Sequence, residues 1–177
     1  MKITFIMPAV GKRNKKKYIK TWQMEPLAIA QLAGLTPKNI EMEFFDDRIE
    51  EIDYNSKTDL IAINVETYTA KRAYDIAREF RQRGRKVIMG GFHPTLYANE
   101  VLDYADAVVV GEAEELWAKI LLDFQNNNLQ KIYRTNKRPS LENIYPNREI
   151  YKNKNYLKVG LVEIGRGCKF NCDFCSI

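Results

Sequence analysis

All three cysteines of the chain fall within eight residues near its C-terminus, in the stretch Gly165-Arg166-Gly167-Cys168-Lys169-Phe170-Asn171-Cys172-Asp173-Phe174-Cys175. The spacing Cys-x3-Cys-x2-Cys puts three sulfurs on one short loop, where they can close on a single metal centre. A structural zinc normally takes four protein ligands, and a fully protein-ligated iron-sulfur cluster takes four cysteines. Cys168, Cys172 and Cys175 therefore point to a centre with one open position. Two readings remain. A zinc site would need a fourth ligand from elsewhere, and the single histidine, His93, is remote in sequence. In a 4Fe-4S cluster, three cysteines hold three irons and the fourth iron is left to chelate a small molecule.

The elements that must position this loop can be read in chain order. Lys2 to Met7 is a short apolar run ended by Pro8, as in a buried first strand. Glu25-Pro26 opens a helix through Leu27, Ile29, Leu32 and Leu35 that Pro37 closes. Ile40 to Phe45 is a second strand, and Asp59 to Val65 is a nearly unbroken apolar run of the kind that forms an interior parallel strand. Thr67 to Arg83 has helical spacing of Ala70, Ala73, Ile76, Ala77 and Phe80. A fourth strand, Lys86 to Met89, ends at Gly90-Gly91, and a short helix runs to about Tyr104. Ala107 to Val110 is a fifth strand, followed by a helix from Glu112 to about Phe124.

Alternating strands and helices with short connections predict an α/β fold, a flavodoxin-like doubly wound parallel sheet of five strands, to which Lys131 to Arg134 fits as an edge addition. The expected organisation is an α/β domain over 1–125, a polar linker over 126–155, and a new unit over 156–177. That last unit has Tyr156 to Ile164 as a strand running into the cysteine loop. Ligands of doubly wound sheets sit outside the carboxyl ends of the strands. The unusual residues fall there: Pro8, Asn64, Glu66, Thr67, Gly90, Gly91, Phe92, His93, Gly111 and Glu112. Gly90 and Gly91 would let backbone come close to a bound group. Asp46, Asp47 and Arg48 read as a solvated turn rather than a catalytic set.

Composition narrows the class. The chain has 177 residues, 45% of them hydrophobic, enough for a core. No apolar run reaches the ~18 to 20 residues of a transmembrane segment, and no signal peptide is visible, so a cytoplasmic location is expected. Closely spaced thiols in an odd number also suit metal ligation better than disulfides. The net charge of +5 lies largely in one loop, Lys12, Arg13, Lys15, Lys16, Lys17 and Lys20. This is read as a solvated connection or as a patch for an anionic substrate or lipid headgroup, with no nucleic acid expected.

The cysteine loop, with Phe174 as the aromatic before the last cysteine and Arg166-Gly167 before the first, resembles the cluster loop of radical S-adenosylmethionine enzymes. Three further segments are similar to the N-terminal cobalamin-binding domain of that family's cobalamin-dependent branch: Pro26-Leu27-Ala28-Ile29-Ala30-Gln31-Leu32-Ala33, Gly90-Gly91-Phe92-His93-Pro94-Thr95 and Val109-Val110-Gly111-Glu112-Ala113-Glu114.

The resemblance implies a corrinoid over the strand ends, with the ten residues from Pro8 to Glu112 above as candidate contacts. It implies a 4Fe-4S cluster on the three cysteines and S-adenosylmethionine on the open iron beside Phe174. An electron donor such as a flavodoxin or ferredoxin would be needed. Reductive cleavage would yield methionine and a 5′-deoxyadenosyl radical, used for methylation or related C-H functionalisation of an unknown small-molecule or lipid substrate. Pro8 to Gly11 lacks the histidine that ligates cobalt from below in corrinoid domains of the methionine synthase type, so cobalamin is expected without a histidine lower ligand.

The chain ends two residues after Cys175. It is therefore expected to be the front part of such an enzyme, inactive alone, with Tyr156 to Ile164 as the first strand of a (β/α) barrel. The alternative is a non-catalytic corrinoid-binding fragment. The methylthiotransferase branch is disfavoured because residues 1–167 contain no cysteine. A phosphorylated receiver is disfavoured because acidic residues are missing from the ends of the first and third strands.

Overall fold

The computed structural model describes residues 1–10, 23–140, 142–170 and 172–175. The basic loop of Lys12 to Lys20 lies outside these residues. Six strands form one wholly parallel sheet in the order β2-β1-β3-β4-β5-β6: β1 Lys2–Met7, β2 Glu41–Asp46, β3 Leu60–Asn64, β4 Lys86–Gly90, β5 Ala107–Val110 and β6 Ile132–Arg134. The first five strands have the flavodoxin-like order. The sixth, suggested by residues 131–134, extends the sheet beyond β5, so the count is six rather than five.

Alternation along the strands splits the core into two layers. Ile3, Phe5, Leu60, Ala62, Ile88, Ala107 and Val109 face helices α1 (Leu27–Leu35) and α5 (Glu114–Gln125). Ile6, Ile61, Ile63, Val87, Met89, Val108 and Val110 face α2 (Ala70–Gln82) and the short α3 (Phe92–Leu96) and α4 (Ala98–Leu102). Helix α1 is apolar on all sides except at Gln31, which fits a helix covered on both flanks. Pro26 is its N-cap rather than a residue of its first turn.

The segment read as a linker over 126–155 is not a free connection. Asn147 N–H donates to the Ala30 carbonyl at 2.8 Å, and the Tyr151 hydroxyl donates to the Pro26 carbonyl at 2.6 Å. Tyr151 is buried in a 3₁₀ turn, Arg148–Tyr151, and its ring packs edge-on to Phe44 of β2. Residues 145–156 thus form a strap over the outer side of α1. A polar composition concealed it because Tyr151 and Tyr156 satisfy their hydroxyls on the Pro26 carbonyl and the Asp46 carboxylate while packing their rings against each other.

The expected strand from Tyr156 to Ile164 does not form. These residues pair with no strand. A strand needs a neighbouring ladder, and the described residues offer none at this place. The segment is instead tethered at separate points: Leu157 N–H donates to the Gln23 carbonyl at 3.0 Å, and the Leu161 carbonyl accepts from the Arg148 guanidinium. No helix among the described residues is long and apolar enough to cross a membrane.

Candidate cofactor site

At the carboxyl end of the sheet, on the side of α1 and α5, the structure holds a cavity of about 400 Å³. The strand register explains it. Phe5, Ala62 and Ile88 lie in one row across β1, β3 and β4, and Asn64 pairs with Gly90 one step nearer the mouth. The short side chain of Ala62 and the absent one of Gly90 leave a hollow between larger neighbours, walled by Leu27, Ala28 and Leu32 on α1 and by Trp117 on α5 and Ala113 at its N-cap. This lies beside the switch point where the chain leaves β1 toward β2 on one side and β3 on the other.

Trp117 fixes the distance between the walls. Its indole N–H donates to Thr36 Oγ1 at the end of α1 at 2.9 Å, and its ring packs on Phe5 with centroids 5.7 Å apart. The mouth is framed by two loops that Thr95 ties together: its hydroxyl donates to the Gly91 carbonyl at 2.9 Å and accepts from Gly111 N–H at 3.0 Å. Gly91 has φ of +106°, and a Cβ there would stand 2.5 Å from Asn64 Oδ1 and 2.9 Å from the Val65 carbonyl. Only glycine allows this loop to close on the end of β3.

Six of the sequence-derived candidates meet at this cavity: Asn64, Glu66, Gly90, Gly91, Gly111 and Glu112. Burial alone pushes the Glu66 carboxyl above its ordinary value. Four candidates stand outside the lining. Pro8 is buried just past the end of β1, Thr67 is exposed at the start of a 3₁₀ turn, and Phe92 is exposed.

His93, at 5% exposure, packs in the other layer. Its Nε2 is 2.9 Å from the Tyr74 hydroxyl, which donates to Glu100 at 2.8 Å. Tyr74 spends its proton on the carboxylate, so the network assigns the His93 proton to Nε2. Its Nδ1 meets no hydrogen-bond partner among the described residues.

Asp46 and Asp47 are fully buried rather than solvated. Asp47 takes a two-point contact from Arg72, at 2.8 and 2.9 Å, and accepts from Ala9 N–H at 3.1 Å. Asp46 takes a similar fork from Arg48, at 2.8 and 2.7 Å, and a 2.6 Å hydrogen bond from the Tyr156 hydroxyl. Both carboxylates brace the turn after β2.

The residues that sequence reasoning missed are Gln31, Glu163 and Arg166, the polar part of the mouth. Gln31 Nε2 donates to Glu163 Oε2 at 2.6 Å. Arg166 forks onto Glu163, at 2.8 and 2.9 Å, and reaches Glu112 at 2.8 Å and Glu114 at 2.6 Å. Hydrogen bonding from Arg166, then from Gln31, holds the Glu163 carboxyl below its ordinary value. One signal was available: Gln31 is the single polar residue of α1, and at 7% exposure it had to find a partner.

The three thiols and Phe174 are exposed, with Phe174 at 94%. Cys175 N–H donates to the Cys172 carbonyl at 3.0 Å, which keeps those two residues on one tight turn. Among the described residues, no three histidine, cysteine or acidic side chains stand close enough together to hold a metal ion.

A family model for the B12 binding domain matches residues 23–121, from just before α1 into α5, and so takes in both walls of the cavity. The chain belongs to the B12 binding domain family. The match agrees with the sequence resemblance to a cobalamin-binding-domain-containing radical S-adenosylmethionine protein, over its N-terminal part.

Among curated proteins the chain is similar to the bacteriochlorophyllide d C-8(2)-methyltransferase of Chlorobaculum tepidum, 37% identical over 157 residues, which cover 84% of this chain and 35% of that protein. It is also similar to the bacteriochlorophyllide d C-12(1)-methyltransferase of the same organism, 28% identical over 85% of this chain and 35% of the relative. The anaerobic magnesium-protoporphyrin IX monomethyl ester cyclase of Cereibacter sphaeroides is 28% identical over 65% of this chain and 23% of its own length. The chain thus spans about a third of the length of the two methyltransferases.

Proposed function

We propose that the cavity between α1 and α5 holds cobalamin, and that the chain is the cofactor-binding portion of a cobalamin-dependent radical S-adenosylmethionine enzyme. The observation that carries this reading is the coincidence of the matched family stretch with a cavity at the carboxyl ends of the strands. The slot's apolar floor, Phe5, Ala62, Ile88 and Val109, suits a flat aromatic group. Its polar mouth, Asn64, Glu66 and Gln31, offers acceptors and donors to amide arms. Cobalamin would be held here without a histidine ligand from this chain, since its one imidazole is hydrogen-bonded to Tyr74 in the other layer. Cys168, Cys172 and Cys175 would hold a 4Fe-4S cluster by three irons, with Phe174 beside bound S-adenosylmethionine. When bound, these groups would supply a methyl group and the electron that cleaves S-adenosylmethionine.

Residues 156–177 would then begin the catalytic barrel. Methyl transfer is the reaction class that the two bacteriochlorophyllide methyltransferases support, and the names of all three relatives make a tetrapyrrole the substrate class to test first. Anaerobic reconstitution of the chain with iron and sulfide tests the thiol assignment. It should give broad sulfur-to-iron absorption that is lost in the Cys168→Ala, Cys172→Ala, Cys175→Ala variant. Stoichiometric zinc with no iron would refute it.

A further inference from the structure

We propose that Arg166 is a positioning residue: it fixes the three-cysteine loop over the mouth of the cavity by joining Glu163 to Glu112 and Glu114 at the start of α5. The geometry is a chain of contacts across the mouth. Gln31 on α1 donates to Glu163, Glu163 is forked by Arg166, and the remaining reach of the guanidinium ends on Glu112, just before α5, and Glu114, in its first turn. Both walls of the slot are thereby tied to the residue two places before Cys168. Two residues of fully extended chain span at most about 7 Å, so anchoring Arg166 confines the first sulfur to a small volume above the slot.

The charges argue that the pairing serves the loop and not the helix. Glu114 lies in the first turn of α5, where the helix dipole already favours a carboxylate without a counter-ion, and Glu112 lies just before it. Arg166 has no comparable reason to lie there, since its side chain is largely covered on a segment that otherwise pairs with no strand. Three carboxylates around one guanidinium also leave net negative charge at the mouth, an arrangement that pair energetics alone do not require. The fork geometry supplies direction: arginine's planar donors can meet Glu163 on one edge and α5 on the other, as a lysine ammonium cannot.

The proposal takes its purpose from the cluster reading above, but the anchoring is testable without metal or corrinoid. In a Trp22→Phe, Cys172→Ser, Cys175→Ser background, a dansyl group on Cys168 accepts excitation energy from Trp117, which lines the slot. Arg166→Gln should lower the transfer by about half or more while leaving the urea unfolding midpoint unchanged, because the domain core does not depend on the tether. Glu112→Gln with Glu114→Gln should lower the transfer likewise, with only the small fall in the urea midpoint that losing the Glu114 charge at the start of α5 brings, and Arg166→Lys should restore part of the transfer. Unchanged transfer in folded Arg166→Gln would overturn the proposal, as would a loss that appears only with a matching fall in stability. Failure of the cofactor reading would show separately, as absence of iron or cobalamin uptake by the unlabelled chain.

Discussion

The carbonyl of Tyr145 lies directly over Gly34, so closely that a Cβ on residue 34 would stand 2.0 Å from its oxygen. The strap of residues 145–156 can therefore cross α1 only because residue 34 has no side chain, and the strap in turn presses α1 onto the sheet and sets one wall of the slot. Gly34→Ala should lift the strap and cost about 1–3 kcal/mol, the usual range for overpacking, despite alanine's better helix propensity. Urea unfolding measures the loss, and a stability at or above that of the parent would show that the strap does not bear on α1.

The turn after β2 rests on buried charge. Arg72 contacts both oxygens of Asp47, and neither side chain is open to solvent. Arg72→Met should destabilise the chain by about 3–5 kcal/mol, because it removes that counter-charge from a buried carboxylate. The loss should be far greater than for Arg78→Met, whose pair with Asp75 is exposed.

Glu66 gives a pH signature. Burial raises its folded-state pKa above the unfolded value of 4.5. Its contribution to stability is therefore fully present below 4.5 and is lost as the pH rises through the folded value. Glu66→Gln should match the parent below 4.5 and exceed it in stability at neutral pH, as read from urea midpoints at the two conditions. A variant less stable than the parent at neutral pH would contradict the assignment. A carboxyl kept at such a cost on the wall of the slot is consistent with a role toward a ligand.

Most of the strand framework could be read because β1, β3, β4 and β5 are apolar runs buried on both faces, a pattern that survives any tertiary arrangement. The order of strands followed from short alternating connections, and the three thiols from spacing alone. The strap was not legible, because the local composition around Tyr151 is polar and its burial depends on acceptors at Pro26 and Ala30 that lie more than a hundred residues away in sequence. His93 was misleading for the opposite reason. Its place beside Gly90-Gly91 suggested the mouth, whereas the short α3 turns its ring toward Tyr74 in the other layer. Arg166 was visible only as part of the cysteine motif, and nothing local announced that Glu112 and Glu114 would meet it.

The central claim is that the slot between α1 and α5 receives cobalamin, and Gly90 offers the most direct measurement. A Cβ there would meet only Val109, at 3.5 Å, so a larger side chain can enter the slot without breaking the strand. In a titration of the chain with hydroxocobalamin, monitored by quenching of Trp117 in a Trp22→Phe background, the parent should bind saturably with one cobalamin per chain. Gly90→Leu should remain folded and fail to bind. No binding by the folded parent, or equal binding by Gly90→Leu, would contradict the account.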